Sequence, residues 1–236
     1  MKAIRRVTQI AGVIAVALIA SLAVTVLSAP EGDWTELAET IASPRCEEDA
    51  DRQIDWDSLP DEVVAWVEVP GTNIDEPIVQ ATPDAPNADL YRDVFEQGAY
   101  GTPYIDCECS VDSRFVMVYG HHMSDGSVFA DFADFIDEAY AREHDEIILY
   151  RREGATLHLE SVAVDVVNAS HESLVIDQKA DFRKILDNAG LQLESSEEPT
   201  QLFAFTTCSY QTWNSRTTVY AAYSSSEGSV SALSLK

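Results

Sequence analysis

Residues 201–223 have the sequence QLFAFTTCSYQTWNSRTTVYAAY, in which two apolar runs flank a polar stretch. The runs 201–207 and 217–223 contain many aromatic and β-branched residues, and this composition favours strands. A short polar connection between two such strands is typical of an antiparallel pair. Cys208 follows the first strand and Arg216 precedes the second. Antiparallel pairing therefore predicts that these two residues lie at the same end of a sheet.

The rest of the chain predicts more short strands and few helices. Further strands are expected at 74–80, 115–119, 146–150 and 156–167. Helices are expected to start at 58–62, to run from Ser127 to about residue 136, and to span 181–189. Many short strands with so few helices are typical of a single β-barrel or β-sandwich.

The composition excludes several classes of protein. The 236 residues include 15 Lys and Arg against 41 Asp and Glu, a formal net charge of −26. No basic stripe interrupts this acidity, so nucleic acid is not an expected partner. The hydrophobic content of 46% is too high for a disordered acidic chain, and four cysteines are too few for a disulfide scaffold. We expect one folded acidic domain with an additional segment.

The additional segment is N-terminal and apolar. Residues 10–29 carry no charge and are mostly Ala, Val, Leu and Ile. Twenty residues at about 1.5 Å each span roughly 30 Å, the thickness of a bilayer core. Lys2, Arg5 and Arg6 precede the run, so the positive-inside rule predicts a cytoplasmic N-terminus. We expect an uncleaved single-pass anchor in the cell membrane with the remaining chain outside the cell. The alternative is a signal peptide cleaved near the Leu-Ser-Ala at 27–29.

These features predict four segments along the chain. They are a cytoplasmic tip with a transmembrane signal-anchor at 1–30, an acidic stalk or N-terminal helix at 31–55, a globular domain at 56–223, and a C-terminal tail at 224–236.

Three side chains of the globular domain are candidates for catalysis. His121 follows the predicted strand 115–119 and Gly120, as Cys208 follows its own strand. A thiol is only a few per cent ionised near neutral pH, so a neighbouring cation increases its nucleophilic fraction. A histidine can protonate a leaving amine. The guanidinium of Arg216 can donate hydrogen bonds to a developing oxyanion or to a substrate backbone.

Three segments are similar to the motifs of a known family. VAWVEVPGTNIDEPIVQ at 64–80 is similar to the family pattern GWIxIPGTxIDYPVVQ. YGHHMSDGSVF at 119–129 is similar to YGHNMxDGxMF, and TTCSY at 206–210, followed by Arg216, is similar to STCxY…R. The chain thus resembles the class B sortases, the membrane-anchored cysteine transpeptidases of Gram-positive bacteria. The resemblance covers about residues 56–223.

The resemblance implies a fold and a set of site residues. The fold would be mainly β, a closed eight-stranded barrel with an N-terminal helix and a helix inserted before the strand of the cysteine. The predicted helix at 181–189 would be the inserted one. His121 would be the general acid and base, Cys208 the nucleophile and Arg216 the stabilising cation. Three neighbours of the cysteine are further candidates for substrate binding: Thr207, Ser209 and Tyr210. For Tyr210, which lies in the loop beside Cys208, packing of the loop is the alternative.

The resemblance further implies the reaction. Cys208 would attack a backbone carbonyl in the C-terminal sorting signal of an exported protein and form a thioester. An amine of a peptidoglycan precursor, or a pilin lysine, would then accept the acyl group. No metal or organic cofactor is required. Two residues depart from the family pattern: His122 replaces an Asn, and Glu76 replaces a Tyr on the entering strand. We expect His121 rather than His122 to act, because Gly120 sets the register, and we expect Glu76 to affect packing more than chemistry.

The other cysteines favour a disulfide over a metal site. Cys107 and Cys109 lie near His121 and His122 in the predicted fold, but Cys-x-Cys is closer than the usual zinc spacing and no fourth ligand is evident. Outside the cell, Cys46 could pair with Cys107 or with Cys109, and the sequence does not choose between them.

Two other hypotheses compete with the transpeptidase. An extracellular cysteine endopeptidase of the papain type usually has its Cys before its His in the chain, whereas His121 precedes Cys208 here. A non-catalytic binding domain on the same fold predicts the loss of at least one of the three candidates, and all three are present.

Overall fold

In the computed structural model, which describes residues 52–96, 101–168, 176–193, 198–209 and 214–224, nine strands form one sheet. The strands are β1 (Val63–Glu68), β2 (Asp75–Gln80), β3 (Tyr104–Ile105), β4 (Phe115–Gly120), β5 (Glu146–Arg151), β6 (Leu157–Asn168), β7 (Leu191–Gln192), β8 (Gln201–Ser209) and β9 (Ser215–Tyr223). The described residues from Gln53 onward belong to one compact unit.

The sheet closes into the expected eight-stranded barrel. Its strand order is β5-β1-β2-β3-β4-β8-β9-β6, and β5 also pairs with β6, so the first and last of these eight strands meet. The short β7 adds to β6 outside the ring. The prediction of a mainly β, closed eight-stranded barrel is therefore confirmed.

Strand direction brings three strand ends to one edge of the barrel. β4 and β8 run parallel, with Gly120 beside Thr207. β8 and β9 run antiparallel, with Cys208 opposite Arg216. The carboxyl ends of β4 and β8 and the amino end of β9 therefore lie side by side, as the sequence of 201–223 predicts for Cys208 and Arg216.

The helices are short and connect strands. They are α1 (Glu138–Glu143), α2 (Phe182–Asp187) and three 3₁₀ helices at Trp56–Ser58, Ala88–Leu90 and Ala130–Ile136. The helix predicted at 181–189 is confirmed as α2, whose first turn begins with the Asp181 carboxylate accepting from the Arg183 amide at 3.2 Å. It precedes β8 in the chain, as an inserted helix should.

Two helix predictions need correction. The helix expected to start at 58–62 is absent, because β1 begins at Val63 and alternate residues from Val63 to Val67 point into the core. Alternation with period two favours a strand over a helix, whatever the capping residues before it. The helix expected from Ser127 begins only at Ala130 and is a 3₁₀ helix, because Val128 has a positive φ of 61° and makes a turn.

An aromatic cluster fills the barrel beneath the 3₁₀ helix of Ala130–Ile136. Phe132 stacks on Phe205 of β8 with ring centroids 5.3 Å apart, and Phe129 meets Phe132 edge to face at 4.9 Å. The Phe129 ring packs directly on Gly120 at the end of β4. No side chain fits there, since a Cβ at Gly120 would lie 2.3 Å from the ring. The tight contact fixes the backbone just before His121.

Several predictions fall outside the described residues. They are the anchor at 10–29, the helical part of 31–55, and the C-terminal tail beyond Ser224. Within the described part of the chain, no helix is long and apolar enough to cross a membrane.

Candidate active site

A cavity of about 420 Å³ opens at the barrel edge where β4, β8 and β9 end. His121, Cys208 and Arg216 all line it. The walls also include Asn87, Leu90, Tyr91, Tyr104, Asp106 and Tyr119. Strand pairing therefore brings the three residues that the sequence predicts to be catalytic to the wall of one cavity.

A backbone carbonyl orients the imidazole of His121. Its Nε2 lies 2.5 Å from the carbonyl oxygen of Leu90, in the 3₁₀ helix Ala88–Leu90. A carbonyl oxygen only accepts hydrogen bonds, so Nε2 carries the proton. In the neutral ring, Nδ1 is then left as the acceptor. The Tyr91 ring flanks the imidazole at a centroid distance of 6.3 Å.

Cys208 and Arg216 lie opposite each other in the β8–β9 pair. Cys208 is exposed and Arg216 is half-buried. Among the residues that the structure describes, no acceptor forms a hydrogen bond or ion pair with the Arg216 guanidinium. Its donors thus remain available to a group that enters the cavity beside the thiol.

Two tyrosines and a carboxylate form the inner wall of the cavity. Burial raises the pKa of Tyr104 to about 12 and also raises the pKa of Tyr119, with nearby Asp106 acting in the same direction. The Tyr104 hydroxyl donates to Asn87 Oδ1 at 3.3 Å. Both phenols are therefore neutral donors at physiological pH. Our sequence reasoning missed them, although Tyr119 stands two residues before His121.

The three predicted substrate-binding residues have different positions. Thr207 lines the cavity wall but is only 1% exposed. Ser209 is buried, and its hydroxyl donates to Ser215 Oγ at 3.0 Å, which joins the ends of β8 and β9. Tyr210 lies outside the described residues.

Cys107 and Cys109 do not line the cavity, and neither forms a disulfide with another described residue. Burial raises the pKa of Cys109 to about 11, and its Sγ accepts from the Met117 amide at 3.4 Å. Cys46 lies outside the described residues, so its pairing stays a prediction. Within the described part of the chain, no cluster of three or more His, Cys, Asp or Glu could hold a metal ion.

Glu76 lies near the turn that follows His121. Burial raises the pKa of its carboxyl group to about 7, although a hydrogen bond with the Val128 backbone opposes the shift; Asp75 and Asp93 add to it. Val128 has a strained positive φ of 61°, and the Phe129 amide returns to the His121 carbonyl at 2.9 Å. Glu76 therefore lies beneath the loop that carries His121.

We expect Glu76→Gln to stabilise the protein at pH 8 and to change its stability little at pH 5. The raised pKa means that the folded state prefers the neutral acid, so wild-type stability falls as pH rises from about 4.5 towards 7. Gln removes the charge and keeps an acceptor for Val128. The pKa rises from 4.5 to about 7 and each pH unit is worth about 1.4 kcal/mol, so the gain at pH 8 should not exceed about 3.5 kcal/mol.

Urea unfolding of both proteins at the two pH values measures this difference. Glu153→Gln is the matched control, because Glu153 is exposed and its replacement changes the net charge equally. An equal gain from Glu76→Gln at pH 5 and pH 8 would contradict the assignment.

The comparisons with known proteins agree with this geometry. A family model described as Sortase domain matches residues 67–224. A comparison with curated proteins finds no match. Sortase B of Clostridium perfringens is 25% identical with a TM-score of 0.60, and the alignment covers 70% of this chain and 94% of that one.

Two further structures show the same fold. A Staphylococcus aureus sortase B–substrate complex is 20% identical with a TM-score of 0.60, covering 71% of this chain and 82% of that one. A Streptococcus pyogenes class B sortase involved in pilus biogenesis is 21% identical with a TM-score of 0.60, covering 70% and 94%. The predicted resemblance to class B sortases is confirmed, and this chain belongs to the sortase family of cysteine transpeptidases.

Proposed function

We propose that the protein cleaves the C-terminal sorting signal of exported proteins and transfers the acyl fragment to an amine. The observation that carries the proposal is the convergence of His121, Cys208 and Arg216 on one cavity at the barrel edge. Cys208 is the nucleophile, His121 the general acid and base, and Arg216 the stabilising cation. The acceptor is the amine of a peptidoglycan precursor or a pilin lysine.

The reaction has two balanced halves. The Cys208 thiolate attacks the scissile carbonyl, and the tetrahedral intermediate collapses as the carbon–nitrogen bond breaks. The protonated His121 gives its proton to the departing amine, which leaves a thioester on Cys208. The acceptor amine then attacks the thioester and loses a proton to His121. A new amide forms and the thiolate is released.

The position of Arg216 suits charge stabilisation. Its guanidinium stands opposite the nucleophile across the β8–β9 pair and has donors available for an oxyanion. Tyr104 and Tyr119 add neutral hydroxyl donors to the same wall.

We also propose that residues 10–29 anchor the protein in the cell membrane with the barrel outside. The support is the uncharged run of 20 residues and the three basic residues before it. An anchored enzyme on this face would meet exported proteins and cell-wall amines together.

An amine-partition assay tests the proposed function. The full chain is incubated with a panel of peptides that carry sorting signals, with and without a soluble amine. A transpeptidase diverts product from the free acid to the amide as amine concentration rises. An endopeptidase releases the free acid whatever the amine concentration, and that result would contradict the proposal.

We expect Arg216→Ala to lower kcat for thioester formation by about 10²–10³-fold, the usual loss when an oxyanion donor is removed. Arg216→Lys should recover only part of this loss, since Lys keeps the charge but lacks the planar fork of donors. Single-turnover kinetics measures both variants. A rise in KM with unchanged kcat would instead assign Arg216 to ground-state binding.

A further inference from the structure

His122 contacts the backbone of the nucleophile from the neighbouring strand end. Its Nδ1 lies 3.0 Å from the carbonyl oxygen of Cys208, although the two residues are 86 positions apart. Its own backbone is held by a β-bridge to Val128. The imidazole therefore joins the loop after β4 to the end of β8.

The acceptor determines which nitrogen of His122 carries a proton. A carbonyl oxygen cannot donate, so Nδ1 of His122 must be the donor. His121 has the opposite arrangement, because its Nε2 donates to Leu90. His121 is thus held through Nε2 and His122 through Nδ1. Of these two residues, only His121 lines the cavity.

The contact acts where the sheet gives least support to the nucleophile. Cys208 is the second-last residue of β8, and β4 ends beside Thr207, one residue earlier. On the β4 side, the described sheet pairing therefore stops before Cys208. The His122 side chain makes the next link between the ends of β4 and β8. His122 directly follows His121.

We propose that His122 is a positioning residue, which donates Nδ1–H to the Cys208 carbonyl and so holds the nucleophile in register with His121. This inference rests on the proposed roles of Cys208 and His121. The role needs a donor at the Nδ1 position and does not need a charge. In this role His122 neither transfers a proton nor contacts the scissile bond.

The geometry of side chains supplies a set of matched variants. The amide nitrogen of Asn is as many bonds from the backbone as His Nδ1, whereas the amide nitrogen of Gln is one bond further, like Nε2. His122→Asn should keep the hydrogen bond, while His122→Gln and His122→Ala should lose it. All three remove the titratable ring.

The kinetic test compares thioester formation in the wild type and the three variants. We expect Ala and Gln to lower kcat about tenfold with little change in KM, since one neutral hydrogen bond is worth about this factor. Asn should stay within about twofold of the wild type. An equal loss in Asn and Ala, or no loss in Ala, would overturn the proposal. A loss in all three variants as large as the loss in His121→Ala would overturn the proposal by indicating that the His122 ring itself takes part in proton transfer.

A second readout does not depend on activity. Labelling Cys with ¹³C at the carbonyl and Ser with ¹⁵N marks two peptide bonds, Cys109–Ser110 and Cys208–Ser209. The Cys208 carbonyl resonance should move upfield in the Ala and Gln variants and stay in place in Asn, with Cys109 as the internal control. An unmoved Cys208 resonance in His122→Ala would refute the contact. If the wild type transfers no acyl group, the proposed function fails while this arm still decides the role of His122.

Discussion

Replacing Cys208 by Ala should abolish acyl-enzyme formation and peptide turnover. In the proposed mechanism the thiol is the nucleophile, and a methyl group can neither form a thioester nor accept the acyl fragment. The fold should be unaffected, because the Cys208 side chain is exposed and its backbone stays paired with Arg216. Product release from a labelled sorting-signal peptide measures the loss.

Cys107→Ala is the matched control for the removal of a thiol. Cys107 is half-buried, forms no disulfide with another described residue, and does not line the cavity. This variant should turn over peptide at the wild-type rate. Turnover that persists in Cys208→Ala and disappears in Cys107→Ala would contradict the assignment of Cys208 as the nucleophile.

His121→Ala should lower kcat about a thousandfold, within the range of about 10²–10⁴ that general acid–base catalysis supplies. Without the imidazole the departing amine has no proton donor at the cavity edge. Single-turnover kinetics with a labelled sorting-signal peptide measures the loss.

His158→Ala is the control for the loss of an imidazole. His158 pairs with Glu146 on the barrel surface at 2.8 Å and does not line the active-site cavity. Its replacement should leave kcat unchanged. A kcat of His121→Ala equal to that of the wild type would contradict the role of His121.

The strands near the site could be predicted because the runs on each side of the Cys208 loop are rich in aromatic and β-branched residues. The structure buries nearly all of β8 and β9 between neighbouring strands. The antiparallel pairing then follows from the short connection. The start of β1 could not be predicted in this way, because Ser58 and Pro60 are typical of a helix start. Burial of alternate residues from Val63 onward prevailed over that local signal.

The residues missed at the site depend on contacts that sequence patterns do not contain. Leu90 contributes only its backbone carbonyl, which any residue could supply, and it does so from a 3₁₀ helix 31 positions before His121. The contact from His122 to Cys208 likewise needs the parallel pairing of β4 with β8. Glu76 was expected to affect packing more than chemistry, and its raised pKa arises mainly from tertiary burial.

Intact-mass spectrometry of the full chain, incubated with the panel of sorting-signal peptides and quenched in acid, tests the central claim most directly. The account predicts a mass increase equal to the acyl fragment, located on Cys208 by peptide mapping and absent from Cys208→Ala. Peptide cleavage by the folded, reduced protein without any adduct on Cys208, even with the amine acceptor withheld, would contradict it.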